Sequence, residues 1–321
     1  MQISPYSDQN ADEWDALIEH SPNATFLHTR RFLAYHKDRF SDTSTLLRND
    51  KGKLVGVFPA AIDPQDDLCI VSHPGLTFGG LLHTGTLRGE QIILAFNALR
   101  RHYAGRGFKS LRYKTTPYIY HQVPAGDDLY ALFRLGAIRH RCDLSCVIDL
   151  DLRPSASSRR KQSLKKAVRS GVTVTDGLSS LPDLWKIIEE NLSLKIGEKP
   201  VHSLSEITQL HSLFPDNIRF LVGVLDGKIV AGLTLFISPM VTRTQYIASS
   251  SVGYDVNALD AVLEYAIQQA SSEGRRYFDF GSSNRREGHE LSANVYQFKV
   301  EFGGGGVAHE FYDLNLEAES T

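Results

Sequence analysis

One order of elements can be read twice along this chain, and no other feature of the sequence limits its fold as strongly. In the second half "VTVTDG" reads as a short strand, and two helices follow it, "LPDLWKIIEENLSLKIG" and "SLSEITQLHSLF". Ser203, with Glu206 three residues on, forms a capping box at the start of the second helix. "IRFLVGVLDG", "KIVAGLTLFISP" and "VTRTQYIASSS" then make an antiparallel meander, with Asp226-Gly227 as a hairpin turn. Leu259, Val262, Leu263, Ala266, Ile267 and Ala270 trace one face of a helix that Asn257 caps at its start and Gly274 at its end. A strand "YFDFGSS", a helix over about 292–302 and a last strand "GVAHEFYDLNL" complete this half.

The first half gives nearly the same order. "ADEWDALIEHS" and "TRRFLAYHKDRF" are helices; "STLLRND", "KLVGVFPAAI" and "LCIVSHPGL" are strands. A helix "GEQIILAFNALRRHYAGRG", a strand "SLRYKTT", a short helix "DDLYALFRLG" and a strand "CDLSCVIDL" follow. The letters do not repeat although the order does. The polar Pro/Ser stretch "LDLRPSASS" marks the join and predicts two domains, 1–152 and 153–321, the second opening with a basic helix over about 155–170.

The segments "SHPGLTFGG", "YKTTPYIYHQVPAGDDLYALFRLGA", "KPVHSLSEI", "FDFGSSNRREGHE" and "YQFKVEFGGGGV" resemble the FemAB-like acyltransferases, a twinned branch of the GNAT superfamily, and the likeness touches both halves. The implied fold class is α+β with mixed sheets of α/β type: two tandem GNAT-like domains, each a mostly antiparallel mixed sheet flanked by helices. The implied activity is transfer of an acyl or aminoacyl group to an amine of a sugar or cell-envelope precursor. Two alternatives stand beside it, an ordinary acyl-CoA-dependent N-acetyltransferase and a catalytically degenerate GNAT-like binding module. The resemblance implies no permanently bound cofactor. It implies aminoacyl-tRNA or acyl-CoA as donor, and a small-molecule or lipid-linked amine as acceptor.

Acetyl-CoA users of this superfamily resemble one another in a glycine-rich loop that holds the pyrophosphate on main-chain N–H groups at a helix start. Here the matching stretch, "SSSVGYDVN", has one glycine, Gly253, and an acidic Asp255. The first half's "SHPGLTFGGLLHTGT" is richer in glycine, with Gly75, Gly79, Gly80 and Gly85, and is read either as a phosphate loop or as turns and close packing.

At about 100° per residue, Val295, Phe298 and Phe302 fall on one side of the helix near residue 298, with Lys299 at the edge of that stripe. Periodicity alone allows either a snorkelling lysine or an ammonium aimed at chemistry. The family's Phe-Lys pair matches Phe298 and Lys299, which implies that Lys299 stabilises the reaction intermediate and that Phe298 lines the site. The glycines at 303–306 follow a helix, where the dipole has the wrong sign for phosphate, and read as a C-cap and a turn.

Between Asp151 and Asp176 there are seven basic residues and no acidic one, among them Arg160, Lys161 and Lys165. Leu164, Ala167 and Val168 are expected to anchor the helix that carries them. The face is read as solvated or as a phosphate patch, and the resemblance favours Lys161 and Lys165 as contacts. An attacking amine must be neutral, which makes His202 in "KPVHS" a candidate base, with Asp279 and Glu290 near the sheet end. His73, Tyr118 and His121 are placed to line the first unit's pocket or to pack there, and Ser282 in "FDFGSS" completes the candidate substrate contacts.

Lys plus Arg number 35 against 37 Asp plus Glu over 321 residues, a balance that argues against a general DNA binder. No stretch reaches the apolar length of a spanning helix, the start lacks a signal-peptide pattern, and three cysteines fit a reducing setting. A cytoplasmic protein is expected, with peripheral membrane contact compatible with that. No metal site is expected, because His140, Cys142 and Cys146 lack a second pair of ligands. There is neither a Gly-x-Ser-x-Gly elbow nor a Walker loop.

Overall fold

The computed structural model describes residues 1–317. Contacts divide the chain into two units, the first from Met1–Asp143, Arg286–His289 and the chain from Ala308 on, the second from Leu144–Arg285 and Glu290–Val307. This division differs from the expected cut at 152/153 for a reason of strand pairing. Residues Ser145 to Asp149 pair antiparallel with Tyr277–Ser282 of the second unit. The last strand, Gly305–Asn315, pairs from Phe311 on with Ser110–Lys114 of the first. Hydrogen bonding across strands thus outranks the polar stretch at 150–158 in deciding membership.

In the first unit, Gln2–Pro5, Thr45–Arg48, Leu54–Phe58 and Leu82–His83 form one antiparallel sheet. Ala61–Asp63, Asp66–Val71, Ser110–Lys114 and the last strand form another, whose middle pair is parallel. Helix Glu90–Ala104 buries Ile92, Phe96 and Leu99 in a core with Phe58, Ile70 and Tyr113. Two elements differ from expectation. "KLVGVFPAAI" parts into strands of different sheets around Pro59, which has no N–H to donate to a ladder. "TRRFLAYHKDRF" keeps only a four-residue α-helix, Arg30–Leu33, before a 3-10 stretch that kinks at Lys37.

In the second unit the strand order is residues 144–149 of the strand Ile138–Asp149, then Tyr277–Ser282, Val241–Ser249, Lys228–Ile237, Ile218–Leu225 and Thr173–Asp176. All neighbours run antiparallel except Tyr277–Ser282 and Val241–Ser249. Asp226 and Gly227 turn with φ of 49° and 73°, as a primed hairpin requires. The capping box forms, Ser203 Oγ accepting from the Glu206 N–H at 3.2 Å and Glu206 accepting from the Ser203 N–H at 2.8 Å. Helix Ala258–Ser272 lays Val262, Leu263, Ala266 and Ile267 on the sheet against Phe278, Phe280 and Phe302. Asn257 precedes it in a left-handed conformation without a side-chain cap, which corrects the capping role expected of it. Among the described residues, no helix is long and apolar enough to cross a membrane.

Candidate active site

Among the described residues, the second unit's one parallel pairing is short, and that brevity shapes the site. Val241, Thr242 and Arg243 pair with Tyr277, Phe278 and Asp279, and there the pairing stops. The register then shifts between Asp279 and Ser282 against the neighbouring strand, and Gly281 takes a φ of +72°, a conformation that side chains other than glycine's resist. The strand end therefore turns its carbonyls out of the ladder.

Lys299 meets those carbonyls. Its helix, Ala293–Val300, places the side chain inward at 6% exposure, where Nζ donates to the Gly281 oxygen at 2.9 Å and to the Ser282 oxygen at 2.8 Å. Burial pulls the ammonium down to about 8, partly opposed by the Asp279 carboxylate, while Arg243 pushes it further down. Two of three N–H groups are engaged, and among the described residues the third has no acceptor. The lysine is thus held as an oriented donor, not as a stem covering apolar surface. Val295, expected on the inner stripe, is 45% exposed, while Phe302 is buried and Phe298 half-buried.

Asp279, noted near the sheet end, is engaged inside the protein. It is 1% exposed, accepts from Arg243 at 2.9 Å, and takes the Gly281 N–H at 2.7 Å, which fixes the turn whose carbonyls hold Lys299. The signal was present in sequence: Arg243 and Asp279 are single charges in otherwise buried strands, where a charge needs a partner.

The lysine helix ends on the start of the basic helix, Ser158–Arg169. Ser157 N–H donates to the Glu301 oxygen at 2.8 Å, and Arg153 Nε to the Phe302 oxygen at 3.0 Å. Gly303, at φ +99°, leaves room for this approach, since a Cβ there would sit 2.4 Å from the Pro154 oxygen. The expected C-cap falls instead on Glu301; Gly303 and Gly304 make a close-packed turn, and Gly305 and Gly306 already open the last strand. Arg160, expected among the substrate contacts, is 7% exposed; it donates to Asp260 at 2.7 Å and lies in ion-pair contact with Glu301 at 2.9 Å, with its guanidinium 4.7 Å from the Phe298 ring centroid. Its charge is spent inside the protein.

Arg160 is a wall shared by two cavities. One, of about 280 Å³, is lined also by Ser155, Lys161, Asp260 and Phe302. The other, of about 310 Å³, is lined also by Arg159, Asn294, Gln297, Phe298 and Glu301. Arg160 thus shares one cavity with Lys161 and the other with Phe298. Lys161 and Lys165 are exposed, Lys161 donating to Ser155 Oγ at 2.6 Å. Val168 is 64% exposed, so the helix is anchored by Ala167, Leu164 and Arg160 instead.

His202 is buried, its Nδ1 2.8 Å from the hydroxyl of Tyr246, which burial raises to about 12. The structure seats it on strand Val241–Ser249, whereas Lys299 sits at the end of Tyr277–Ser282. Ser282 is exposed and touches Lys299 through its main chain. In the first unit His73 is buried at φ 61°, its ring 5.0 Å from His36, and burial lowers it to about 3. Tyr118 is 64% exposed, and His121 is lowered by burial to about 4.

Neither of the two glycine-bearing loops is built to hold phosphate. Gly253 gives its N–H to Ser250 Oγ at 3.1 Å, and a Cβ on it would lie 2.1 Å from the Val230 oxygen, so the residue serves close packing. In the first unit Lys114, which sequence reasoning passed over, donates to the oxygens of His73, Pro74 and Leu76 at 3.1, 3.0 and 2.9 Å. That loop wraps an internal ammonium with carbonyls, the reverse of an anion cradle.

No protein-family model matches the sequence, and no curated protein matches it. Solved structures do. The crystal structure of FemX superposes with a TM-score of 0.68 at 13% identity, covering 98% of this chain and 97% of that one. The structure named L-PGS from Bacillus licheniformis gives 0.62 at 12%, covering 94% and 90%. A tandem GNAT protein from the clavulanic acid biosynthesis pathway gives 0.52 at 12%, covering 99% of each. At these identities the likeness is one of fold, and the chain shares the fold of FemX and of the tandem GNAT protein.

Proposed function

We propose that this protein is an N-acyltransferase that moves an acyl or aminoacyl group onto an amine of a sugar or cell-envelope precursor by direct attack. The observation that carries this reading is the ammonium of Lys299, fixed by two main-chain oxygens with its third N–H unclaimed. The neutral amine attacks the donor's carbonyl carbon, and the carbonyl electrons move onto oxygen. Lys299 donates its remaining N–H to that oxyanion. Collapse restores the carbonyl and expels the donor's carrier, and the new amide nitrogen loses its proton to a base or to water. With a value of about 8, Lys299 is mostly protonated at neutral pH, as a donor must be.

Aminoacyl-tRNA is the donor favoured over acyl-CoA. Gly253 has its N–H and its space already occupied, which removes the usual pyrophosphate seat. The exposed Lys161, Lys165, Lys166 and Arg169 give the basic helix a face suited to a phosphodiester chain. A further similar structure, the C-terminal domain of a "Putative Lysylphosphatidylglycerol Synthetase" from Agrobacterium fabrum, is consistent with aminoacyl transfer in envelope synthesis. On this reading the protein works in the cytoplasm on a soluble or lipid-linked acceptor. His202, buried against Tyr246, is proposed to act with that hydroxyl in removing the amine's proton, while Phe298 and Ser282 line the acceptor's approach.

The test is a transfer assay with charged tRNA or acetyl-CoA as donor and amine-bearing envelope precursors as acceptors. Lys299→Met is expected to lower turnover by about 10²–10³-fold, the cost of losing one oxyanion donor. Unchanged turnover in that variant would overturn the assignment. Binding of a precursor with no donor ever consumed would favour the binding-module alternative.

A further inference from the structure

Lys299 does not hold its own position; the strand end holds it, and one buried carboxylate holds the strand end. We propose that Asp279, braced by Arg243, is a positioning residue that sets both the place and the protonation of Lys299. This rests on the reading of Lys299 as the oxyanion donor.

The chain of contacts is continuous. Arg243 donates to Asp279 Oδ2 at 2.9 Å, and Asp279 Oδ1 accepts the Gly281 N–H at 2.7 Å. That bond keeps Gly281 at φ +72°, which turns the oxygens of Gly281 and Ser282 toward Lys299 Nζ. A side chain at 281 would meet Arg243 Nη2 at 3.2 Å, so glycine, arginine and carboxylate form one packed unit. The charged and titratable groups facing Lys299 come from three strands: Asp279 from Tyr277–Ser282, Arg243 from Val241–Ser249 and Cys146 from Ile138–Asp149. Burial raises the Cys146 thiol to about 12, so it stays neutral and leaves the balance to Asp279 and Arg243. A purely structural ion pair would stabilise the sheet without tuning the lysine.

The experiment follows the titration of Lys299 Nζ by NMR with lysine-selective ¹⁵N labelling of the full chain, the signal assigned by its loss in Lys299→Met. Asp279→Asn keeps an acceptor for Gly281 and removes the charge, and is expected to lower the Lys299 midpoint by about one pH unit. Arg243→Gln is expected to raise it by a similar amount. Should Asp279→Asn fail to fold, Asp279→Asn/Arg243→Gln is compared with Arg243→Gln alone, and the same lowering is expected. A midpoint that does not move with the charge at 279 would overturn the proposal. This outcome is separable from failure of the catalytic reading, since the NMR midpoint needs no turnover while Lys299→Met reports turnover directly.

Discussion

Replacing Lys299 with methionine should leave the fold as stable as before or more stable, while removing the proposed chemistry. Burial lowers the ammonium from 10.5 to about 8. At about 1.4 kcal/mol per pH unit, that displacement means roughly 3 kcal/mol of penalty carried by the charged lysine at neutral pH. Methionine retains an unbranched stem and its apolar contacts but abandons two hydrogen bonds. The Ser282 oxygen belongs to an exposed residue and is rehydrated, whereas Gly281 is buried and its unsatisfied carbonyl costs about 1–3 kcal/mol. The balance is a gain of about 0–2 kcal/mol at pH 7. The folded-state value lies below the unfolded one, so between about pH 8 and 10.5 the unfolded chain binds more protons and wild-type stability rises with pH. The variant's advantage is therefore complete below pH 8 and fades toward 10.5. Urea unfolding of both proteins at pH 7 and near pH 9.5 measures it. A variant less stable than wild type by more than about 1 kcal/mol at pH 7, or an advantage that does not shrink at high pH, would refute the claim that a buried charge is held here at a cost.

Three further outcomes are expected. Arg160→Ala strands the buried Asp260 and leaves the half-buried Glu301 without its near cation, and should cost about 3–5 kcal/mol in chemical denaturation; a loss below about 1 kcal/mol would mean that solvent reaches Asp260. Gly253→Ala drives a methyl group into the Val230 oxygen and should destabilise by about 1–3 kcal/mol, read as a lowered melting temperature, with no dependence on added CoA. Lys161→Glu with Lys165→Glu should weaken tRNA binding in fluorescence anisotropy, and each lost phosphate contact should flatten the logarithmic salt slope by about 0.7–0.9. Stability in that double variant should stay within about 0.5 kcal/mol for each exposed substitution, so a large loss would show the helix to be structural instead.

Much of the second unit was legible because its signals are local. The Ser203 capping box, the Asp226-Gly227 turn and the apolar face from Leu259 to Ala270 each depend on neighbours within a few residues, and each forms as read, apart from the missing cap at Asn257. The inward place of Lys299 was at the edge of what periodicity resolves, and the basic helix was located within three residues at its start and one at its end. What failed was assignment that depends on partners far along the chain. Arg160 looks in sequence like its basic neighbours, yet Asp260, a hundred residues on, takes its charge. Lys114 gave no local signal because its partners are main-chain oxygens, and Asp279 signalled only that a partner was needed, not that it would be the distant Arg243.

By itself the sequence determined the repeated order of elements and the identity of the polar groups available for chemistry, since hydrophobic period, caps and turns are properties of short segments; the mixed-sheet class was legible only through the family resemblance. Only the tertiary structure decided which unit the last strand joins, where parallel pairing ends and which cations are already neutralised. The reason is physical: a buried charge is defined by what surrounds it. At Lys299 the surroundings are two carbonyls turned by a glycine, a carboxylate and an arginine that sequence separates by up to fifty-six residues.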